Sequence, residues 1–549
     1  MNSRHYKKNT KPYRTTLSIS TPMMNERRYP VGIQTFSRIR EENYVYVDKT
    51  DLMWRMIQLS PYIFLSRPRR FGKSLLSTTL CSFFEGRKEL FEGLKVMKLE
   101  QEWKSYPVIH LDLSMAKNCT STEELRDSLS FILHPYVKLY GSEEKELLPG
   151  KLFQGLIRRA YEQTGRQVVL VIDEYDAPLL EVLHEDENLP KFRKVMQEFY
   201  QPLKSSEAMV RFCFITGITK FSQLSIFSTI NNLTNITMDS QFSAICGITE
   251  DEVSTEFAPD IQMLADHIGE SFDNIRHLLK NLYDGYHFSE YSPEIYNPYS
   301  LLRCFVHKKL DNYWFSTGTP TFLIEQMKRF KTDITTLDSI EEPADAFDLP
   351  TEAMTTALPL LYQSGYLTIK GYDSESLMYS LAIPNQEVRV GFTRNLIPAY
   401  MGLENSDVQK GFALKFWRAL KNRDIDLAMH ELQAYLESIP YVEGFKKKLA
   451  EVENAEGFYE YTLYLIFSML NVYVRTQIHV RGGRIDMVVL MPDTTYVFEL
   501  KKDGTAQQAL EQIDDRGYSL KYQTDGRNVV KVGALFDAEK RTLKEWVVA

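Results

Sequence analysis

The residues best equipped for chemistry stand together at Arg67-Pro68-Arg69-Arg70-Phe71-Gly72-Lys73-Ser74. They fit the phosphate-loop pattern G-x-x-x-x-G-K-[ST] at every fixed position but the first, where Arg67 replaces glycine. Backbone N–H groups of such a loop, with a helix N-terminus behind them, cradle an anion. Lys73 is then placed for the terminal phosphates of a nucleotide, and Ser74 for its Mg2+. Arg67 gives up the backbone freedom of glycine. Pro68 stiffens the loop, while Arg67, Arg69 and Arg70 add positive charge. The bland alternative is a chance Gly-Lys-Ser at a helix start beside a surface basic cluster.

Two further groups of residues suit phosphate chemistry. Val168-Val169-Leu170-Val171-Ile172 ends in Asp173-Glu174, a buried strand with acids at its carboxyl end, where ligands of open α/β sheets sit. Asp173 completes the Mg2+ shell there, and Glu174 polarises the attacking water as a general base. The alternative is that Asp-Glu caps the next helix. Phe212-Cys213-Phe214-Ile215-Thr216 reads as another buried strand, with Thr216 the candidate to sense the γ-phosphate and Lys220 a weaker one, read as a surface lysine.

Near the end of the chain, Gly482 to Leu490 and Tyr496 to Lys501 read as a hairpin about a Pro-Asp turn. Alternation puts Val497, Glu499 and Lys501 on one face, with Asp486 nearly opposite Glu499. Two carboxylates and a lysine thus meet on an apolar sheet, an expensive arrangement unless paired or bound to metal. Two carboxylates plus waters suit Mg2+, with substrate phosphate completing the shell. Lys501 orients or deprotonates the water. Glu460 shares a helical stripe with Leu463, Tyr464 and Phe467, and Gln512 lies on a downstream helix within reach of a metal water or a backbone phosphate. A salt bridge on a half-exposed strand is the alternative.

These residues need elements to hold them. Tyr62-Ile63-Phe64-Leu65 is the strand before the phosphate loop and Leu75 to Leu80 the helix after it. Val108 to Asp112 is a second strand, and Ser243 to Ile248 is expected as a short edge strand. From about 256 to 435 the chain turns helical. Asn281 to Phe288 and Tyr313 to Pro320 are aromatic turns, read as packing corners or a lid. Leu360 to Ile369 followed by Tyr379 to Asn385 reads helix, strand, strand, a winged-helix-like order.

A chain of 549 residues is too long for one core. With 44% hydrophobic and 25% charged residues and a formal charge of −8, it is a globular composition without an all-over basic surface. Any nucleic-acid contact must be a local groove. The five cysteines are scattered with no C-x-x-C pair, which points to reduced thiols, a cytoplasmic setting and no zinc site. No apolar run approaches the ~18 residues of a membrane span. The first 28 residues hold Arg4, Lys7, Lys8, Lys11, Arg14, Arg27 and Arg28 against Glu26 alone. They read as a basic tail of little structure, with a transit peptide or an upstream extension as alternatives.

Tyr29 to Phe36, Tyr46-Val47-Asp48-Lys49-Thr50, Arg67 to Ser74, Asp173 to Asp176 and Phe227 to Leu233 together resemble the bacterial AAA-ATPase-like family. The resemblance implies ATP as ligand, tolerance of arginine at Arg67, and a strand inserted between the Lys73 and Asp173 strands. Residues 440 to 545 resemble the PD-(D/E)XK nuclease superfamily. Asp486, Glu499 and Lys501 match its core positions, Glu460 its first-helix acid and Gln512 its second-helix glutamine. The expected fold class is therefore α/β. It comprises a basic tail (1–28), an AAA-like P-loop NTPase sheet domain (29–255), a helical and winged-helix-like middle (256–435) and a restriction-endonuclease-like α/β domain (436–549). The expected function is ATP binding and hydrolysis coupled to Mg2+-dependent cleavage of nucleic acid, DNA ahead of RNA. Lys446-Lys447-Lys448 is the one dense basic cluster near the hairpin, so DNA binding calls on the ATPase half or a homo-oligomer. A nucleotide-switched binding protein with a non-cleaving nuclease fold and a DNA-translocating motor are the alternatives.

Overall fold

The computed structural model describes residues 27–180, 182–183, 185, 187–220, 233–317, 321–350, 353–401, 406–438, 473–480, 483–491, 493–523, 526–537 and 542–549. Five parallel strands form the first sheet: β1 (Tyr62–Ser66), β2 (Val108–Asp112), β3 (Val168–Asp173), β4 (Val210–Gly217) and β5 (Thr234–Asn235), in the order β2-β3-β4-β1-β5. β4 stands between β1 and β3, so the Asp173 strand does not touch the Lys73 strand, as the resemblance implies. β1 and β3 are buried along their whole length, which is why they read as unbroken apolar runs. Their side chains alternate between two cores. Ile63, Leu65, Val169 and Val171 meet Leu76, Leu80 and Phe84 of the Lys73–Phe84 helix. Tyr62, Phe64, Leu170 and Ile172 meet Leu129, Phe153, Leu156 and Phe199 on the opposite face.

The edge strand is Thr234–Asn235, not Ser243 to Ile248. Gly247 donates its amide to the Phe71 carbonyl (3.0 Å), which draws that segment across the phosphate loop. The residues that follow pair as β6 (Ile248–Thr249) with β7 (Ile295–Tyr296) in a separate two-stranded ribbon. Arg27 and Arg28, read as part of the tail, are held by Asp260 and Glu42.

In the middle region β8 (Ile340–Glu342), β10 (Met378–Ala382) and β9 (Thr368–Asp373) form an antiparallel sheet in that order, preceded by the Leu358–Gln363 helix. The helix, strand, strand order is as expected. The aromatic turn is a packing corner: Tyr286 and Phe288 are buried, and both meet Phe71 edge-on, at 4.8 and 5.3 Å between ring centroids.

The last sheet runs β11 (Tyr473–Val480), β12 (Gly483–Leu490), β13 (Thr494–Lys501), β14 (Asn528–Asp537), β15 (Thr542–Val548), with only β13 and β14 parallel. The Ala506–Asp515 helix covers one face, placing Leu510 and Ile513 on Val488 and Val497. The other face meets helices Ser406–Lys421 and Ile425–Ser438. Tyr496 donates its hydroxyl to the Leu420 carbonyl (2.9 Å), and Gln433 bonds the Leu543 carbonyl (2.7 Å). The boundary expected at 436 falls inside the second of these helices. Among the described residues no helix is long and apolar enough to cross a membrane, and all five cysteines are free and buried.

Candidate active sites

The phosphate loop enters the Lys73–Phe84 helix through two left-handed residues, Arg70 at φ 70° and Gly72 at φ 95°. Left-handed residues between right-handed ones gather amides toward one point, a nest for an anion. Gly72 caps the helix, no side chain among the described residues satisfies its first amides, and its positive end faces the same point. Nothing lies within 4 Å of where a Gly72 Cβ would stand, so glycine is required for its φ rather than for room. Arg67 keeps a negative φ, and the first position of the pattern therefore needs no glycine here.

A cavity of about 400 Å³ opens over the loop, walled by Arg69, Arg70, Gly72, Lys73, Ser74 and Glu174. That falls within the ~300–1,000 Å³ of small-molecule sites. Lys73 donates to the carbonyls of Arg67 (2.9 Å) and Pro68 (3.1 Å). Burial lowers its pKa, and Asp173, Asp176 and Glu174 oppose that. Burial raises the pKa of the Asp173 carboxyl, and the neighbouring Ser74 hydroxyl and Lys73 oppose that. Asp173 accepts the Glu174 amide at 2.9 Å. Glu174 sits at φ 49°, a strained conformation for an acid that surrounding packing must impose. Its pKa is raised by burial and by its acidic neighbours, against the pull of Lys73. Lys73, Ser74, Asp173 and Glu174 are thus brought together as the sequence predicts.

Five other residues of the predicted set are placed elsewhere. The Arg67 guanidinium is 1% exposed, bonds the carbonyls of Ser66, Thr237 and Phe242, and stacks 4.1 Å over Phe288. Burial brings its pKa down to about 10. Its side chain lines a separate small cleft with Pro68 and adds no charge to the phosphate cavity. Phe71 is buried in the core between loop and middle region. Thr216 is buried within the sheet and donates its hydroxyl to the Leu65 carbonyl (2.7 Å), so its one proton is engaged away from any γ-phosphate. Lys220 is not a surface lysine: it is 7% exposed and paired with Asp348.

At the second site Met487 pairs with Phe498, and the next antiparallel step sets Asp486 against Glu499. Asp486 accepts the Leu500 amide at 2.8 Å. Gln512, on the covering helix, donates to Glu499 Oε1 and accepts from Lys501 Nζ at 2.9 Å. Its amide therefore ties acid to lysine. Glu499 is 4% exposed, and its Oε2 has no hydrogen-bond partner among the described residues. Burial and the Asp486 charge push its pKa up to about 8, against the pull of Lys501 and Gln512. A buried carboxylate oxygen with no donor, next to a second carboxylate, is what a hard divalent cation relieves. Among the described residues no group of three or more His, Cys, Asp or Glu side chains is gathered; the two carboxylates they supply suit Mg2+ with waters and phosphate. Glu460, Lys446 to Lys448 and Phe227 to Asn232 lie outside the described residues.

Residues 30–227 match the family described as Predicted AAA-ATPase, and residues 454–546 match the PD-(D/E)XK nuclease superfamily. The chain is 33% identical over 536 residues to the uncharacterized protein in the vnfD 5′ region of Azotobacter chroococcum mcd 1, covering 96% of this chain and 99% of that one. The chain belongs to the AAA-ATPase-like family and ends in a PD-(D/E)XK nuclease superfamily domain. In this AAA-ATPase-like protein, Asp176 and Lys117 also line the phosphate cavity. Asp176 accepts from the Ile218 and Thr219 amides (3.0 and 2.7 Å) and the Thr219 hydroxyl (2.7 Å), fixing the loop after β4. Its position three residues past Asp173 was the one sequence signal for it; Lys117 carried none.

Proposed function

We propose that this protein binds and hydrolyses ATP at Lys73, Ser74, Asp173 and Glu174, and that nucleotide occupancy positions or switches a Mg2+-dependent nuclease at Asp486, Glu499 and Lys501. The observation that carries the reading is that Oε2 of buried Glu499, beside Asp486, has no hydrogen-bond partner among the described residues, with Lys501 held to the same spot through Gln512.

In the ATPase half, the loop amides and Lys73 bind the triphosphate, Ser74 and Asp173 hold its Mg2+, and Glu174 takes a proton from the attacking water. A divalent ion at Asp486 and Glu499 would stabilise charge on a phosphodiester and lower the pKa of a coordinated water. Lys501 Nζ orients that water as an ammonium, or accepts its proton as the neutral amine after releasing one of its own to solvent, and Gln512 keeps Nζ aimed at the acids. Nucleic acid, DNA ahead of RNA, is the proposed substrate, and the cytoplasm the proposed setting.

The test is cleavage of single-stranded, duplex and branched DNA and RNA with Mg2+, with and without ATP. The wild type is expected to cut, Lys501→Ala to be inert, and Lys73→Ala to cut without responding to ATP. Wild-type protein as inert as Lys501→Ala on every substrate would overturn the nuclease reading and favour a non-cleaving, nucleotide-switched binder.

A further inference from the structure

We infer that Tyr299, from the middle region, is a positioning residue of the nucleotide site: its ring holds Arg70 in place to bind the phosphate chain of ATP. The inference rests on reading residues 67–74 as a triphosphate site and adds a residue that no motif in the sequence marks. Arg70 is left-handed at φ 70°, a conformation that glycine adopts at lower cost. Strain of that kind points to a use for the side chain. The Arg70 guanidinium carbon stands 4.7 Å from the centre of the Tyr299 ring. Tyr299 belongs to the Pro298–His307 helix. It donates its amide to Asn297 Oδ1 (3.0 Å), and its hydroxyl accepts from Arg303 Nε (3.3 Å). The residue is thus tied at its backbone and at the tip of its ring. Arg70 and Tyr299 both line the phosphate cavity.

The charges around Lys73 give a second cation its purpose. Asp173, Asp176 and Glu174 all act on the Lys73 ammonium, so acids outnumber it before a triphosphate adds its own charge. Of the three arginines in the loop, Arg67 is turned into the core, on the carbonyls of Ser66, Thr237 and Phe242. Arg69 and Arg70 face the cavity, and among the described residues neither makes an ion pair or a side-chain hydrogen bond. Only Arg70 of the two is set over a ring. A ring face attracts the cation through its quadrupole and takes up none of its N–H groups. The guanidinium fork stays available for phosphate oxygens, which it matches two at a time. An arginine already fixed by Tyr299 also loses less rotamer freedom when it binds them. The ring holds it in the same place before and during hydrolysis, so the contact strengthens ATP binding without favouring the transition state.

The experiment titrates the full chain with ATP and with inorganic triphosphate, and measures ATP hydrolysis across a range of ATP concentrations. Arg70→Ala keeps a Cβ and with it the left-handed strain, so it removes the guanidinium alone. It is expected to weaken both ligands by a similar factor of about tenfold or more, raising KM with kcat within about twofold of wild type. Tyr299→Leu is expected to weaken both by about threefold or more, and Tyr299→Phe, which keeps the ring face, to restore affinity to within about twofold of wild type. The deciding measurement is the double variant. Because Tyr299 acts through Arg70, Arg70→Ala with Tyr299→Leu should bind no more weakly than Arg70→Ala alone. Effects that multiply in the double variant, a loss confined to ATP with inorganic triphosphate unchanged, or Arg70→Ala that binds as wild type does would overturn the inference while the triphosphate site stands. Wild-type protein that binds neither ligand would overturn the triphosphate reading, and the inference with it.

Discussion

Glu499 is a buried carboxyl with one oxygen unpaired among the described residues. Its folded pKa of about 8 lies above the ~4.3 of an unfolded glutamate. Between those values the folded protein holds a proton that the unfolded chain has released. The contribution of Glu499 to stability is therefore intact below about pH 4.3 and lost as pH rises through about 8. Glu499→Gln removes that penalty, and without divalent metal it should melt higher than wild type at pH 8, by about 2 °C or more, with little difference at pH 5. Added Mg2+ should raise the wild-type melting temperature at pH 8 and leave the variant where it was. A variant less stable than wild type at pH 8 without metal would show that Glu499 is a structural acceptor and not a metal ligand. In the other half, Lys73 must exchange two loop carbonyls for phosphate oxygens, which a charged donor favours. Lys73→Ala should weaken ATP binding about tenfold or more. Glu174→Gln should bind ATP within about threefold of wild type while hydrolysing it ~10²–10⁴-fold more slowly, the usual range for loss of a general base. Equilibrium binding and phosphate release separate the two effects.

At the scale of elements, the β12–β13 hairpin and the strand–loop–helix at Gly72 were legible because their signals are local. Period-two alternation puts Glu499 and Lys501 on one face whatever lies elsewhere, and a Gly-Lys-Ser between an apolar run and a helix has few other uses. Arg67, Thr216, Lys220 and Ser243 to Ile248 were misread for the opposite reason. Each is placed by a partner distant in sequence: Thr237 and Phe288 for Arg67, Leu65 for Thr216, Asp348 for Lys220, the Phe71 carbonyl for Gly247. No local pattern encodes which way a side chain turns. The distant partners also show that the middle region is built onto the phosphate loop. Gly365, at φ +85°, approaches so closely that a Cβ there would meet the Pro68 ring at 2.6 Å. Gly365→Ala therefore combines left-handed strain of ~1–2 kcal/mol with a push against the loop. It should weaken ATP binding although it touches no nucleotide. Gly371→Ala, in β9, has ordinary contact at 3.6 Å and no such φ, and should bind ATP as wild type does. Equal affinity in both variants would separate the loop from the middle region.

Across the described residues, one contiguous apolar core includes Phe71 of the phosphate loop, Tyr286 and Phe392 in the middle region, Leu420, and Tyr496 and Phe498 in β13. Phe498 precedes the acid of the nuclease site, and Phe71 precedes the glycine of the phosphate loop. Continuity alone is not coupling; coupling requires an element with two arrangements that both ligands bias. The candidate is the loop after β4. Asp176 fixes its start, and Gln363 and Asp348 of the middle region hold Lys220 by its amide (2.7 Å) and its ammonium. If Ile218 to Lys220 shift when a γ-phosphate binds, these bonds would pass the shift to Asp348 and Gln363. Thermodynamics then imposes a symmetry. If ATP changes nucleic-acid affinity by a factor α, nucleic acid must change ATP affinity by the same α. Both factors are measurable on a cleavage-dead Lys501→Ala chain, by titrating DNA with and without a non-hydrolysable ATP analogue and then the reverse. Equal factors clearly different from 1 are expected. Asp348→Asn, which weakens the hold on Lys220 while keeping side-chain volume, should bring both toward 1 together. Salt must be held constant throughout, because phosphate neutralisation alone changes DNA affinity steeply with ionic strength. If both factors equal 1 in the Lys501→Ala chain, the two sites share a polypeptide and a core but no switch.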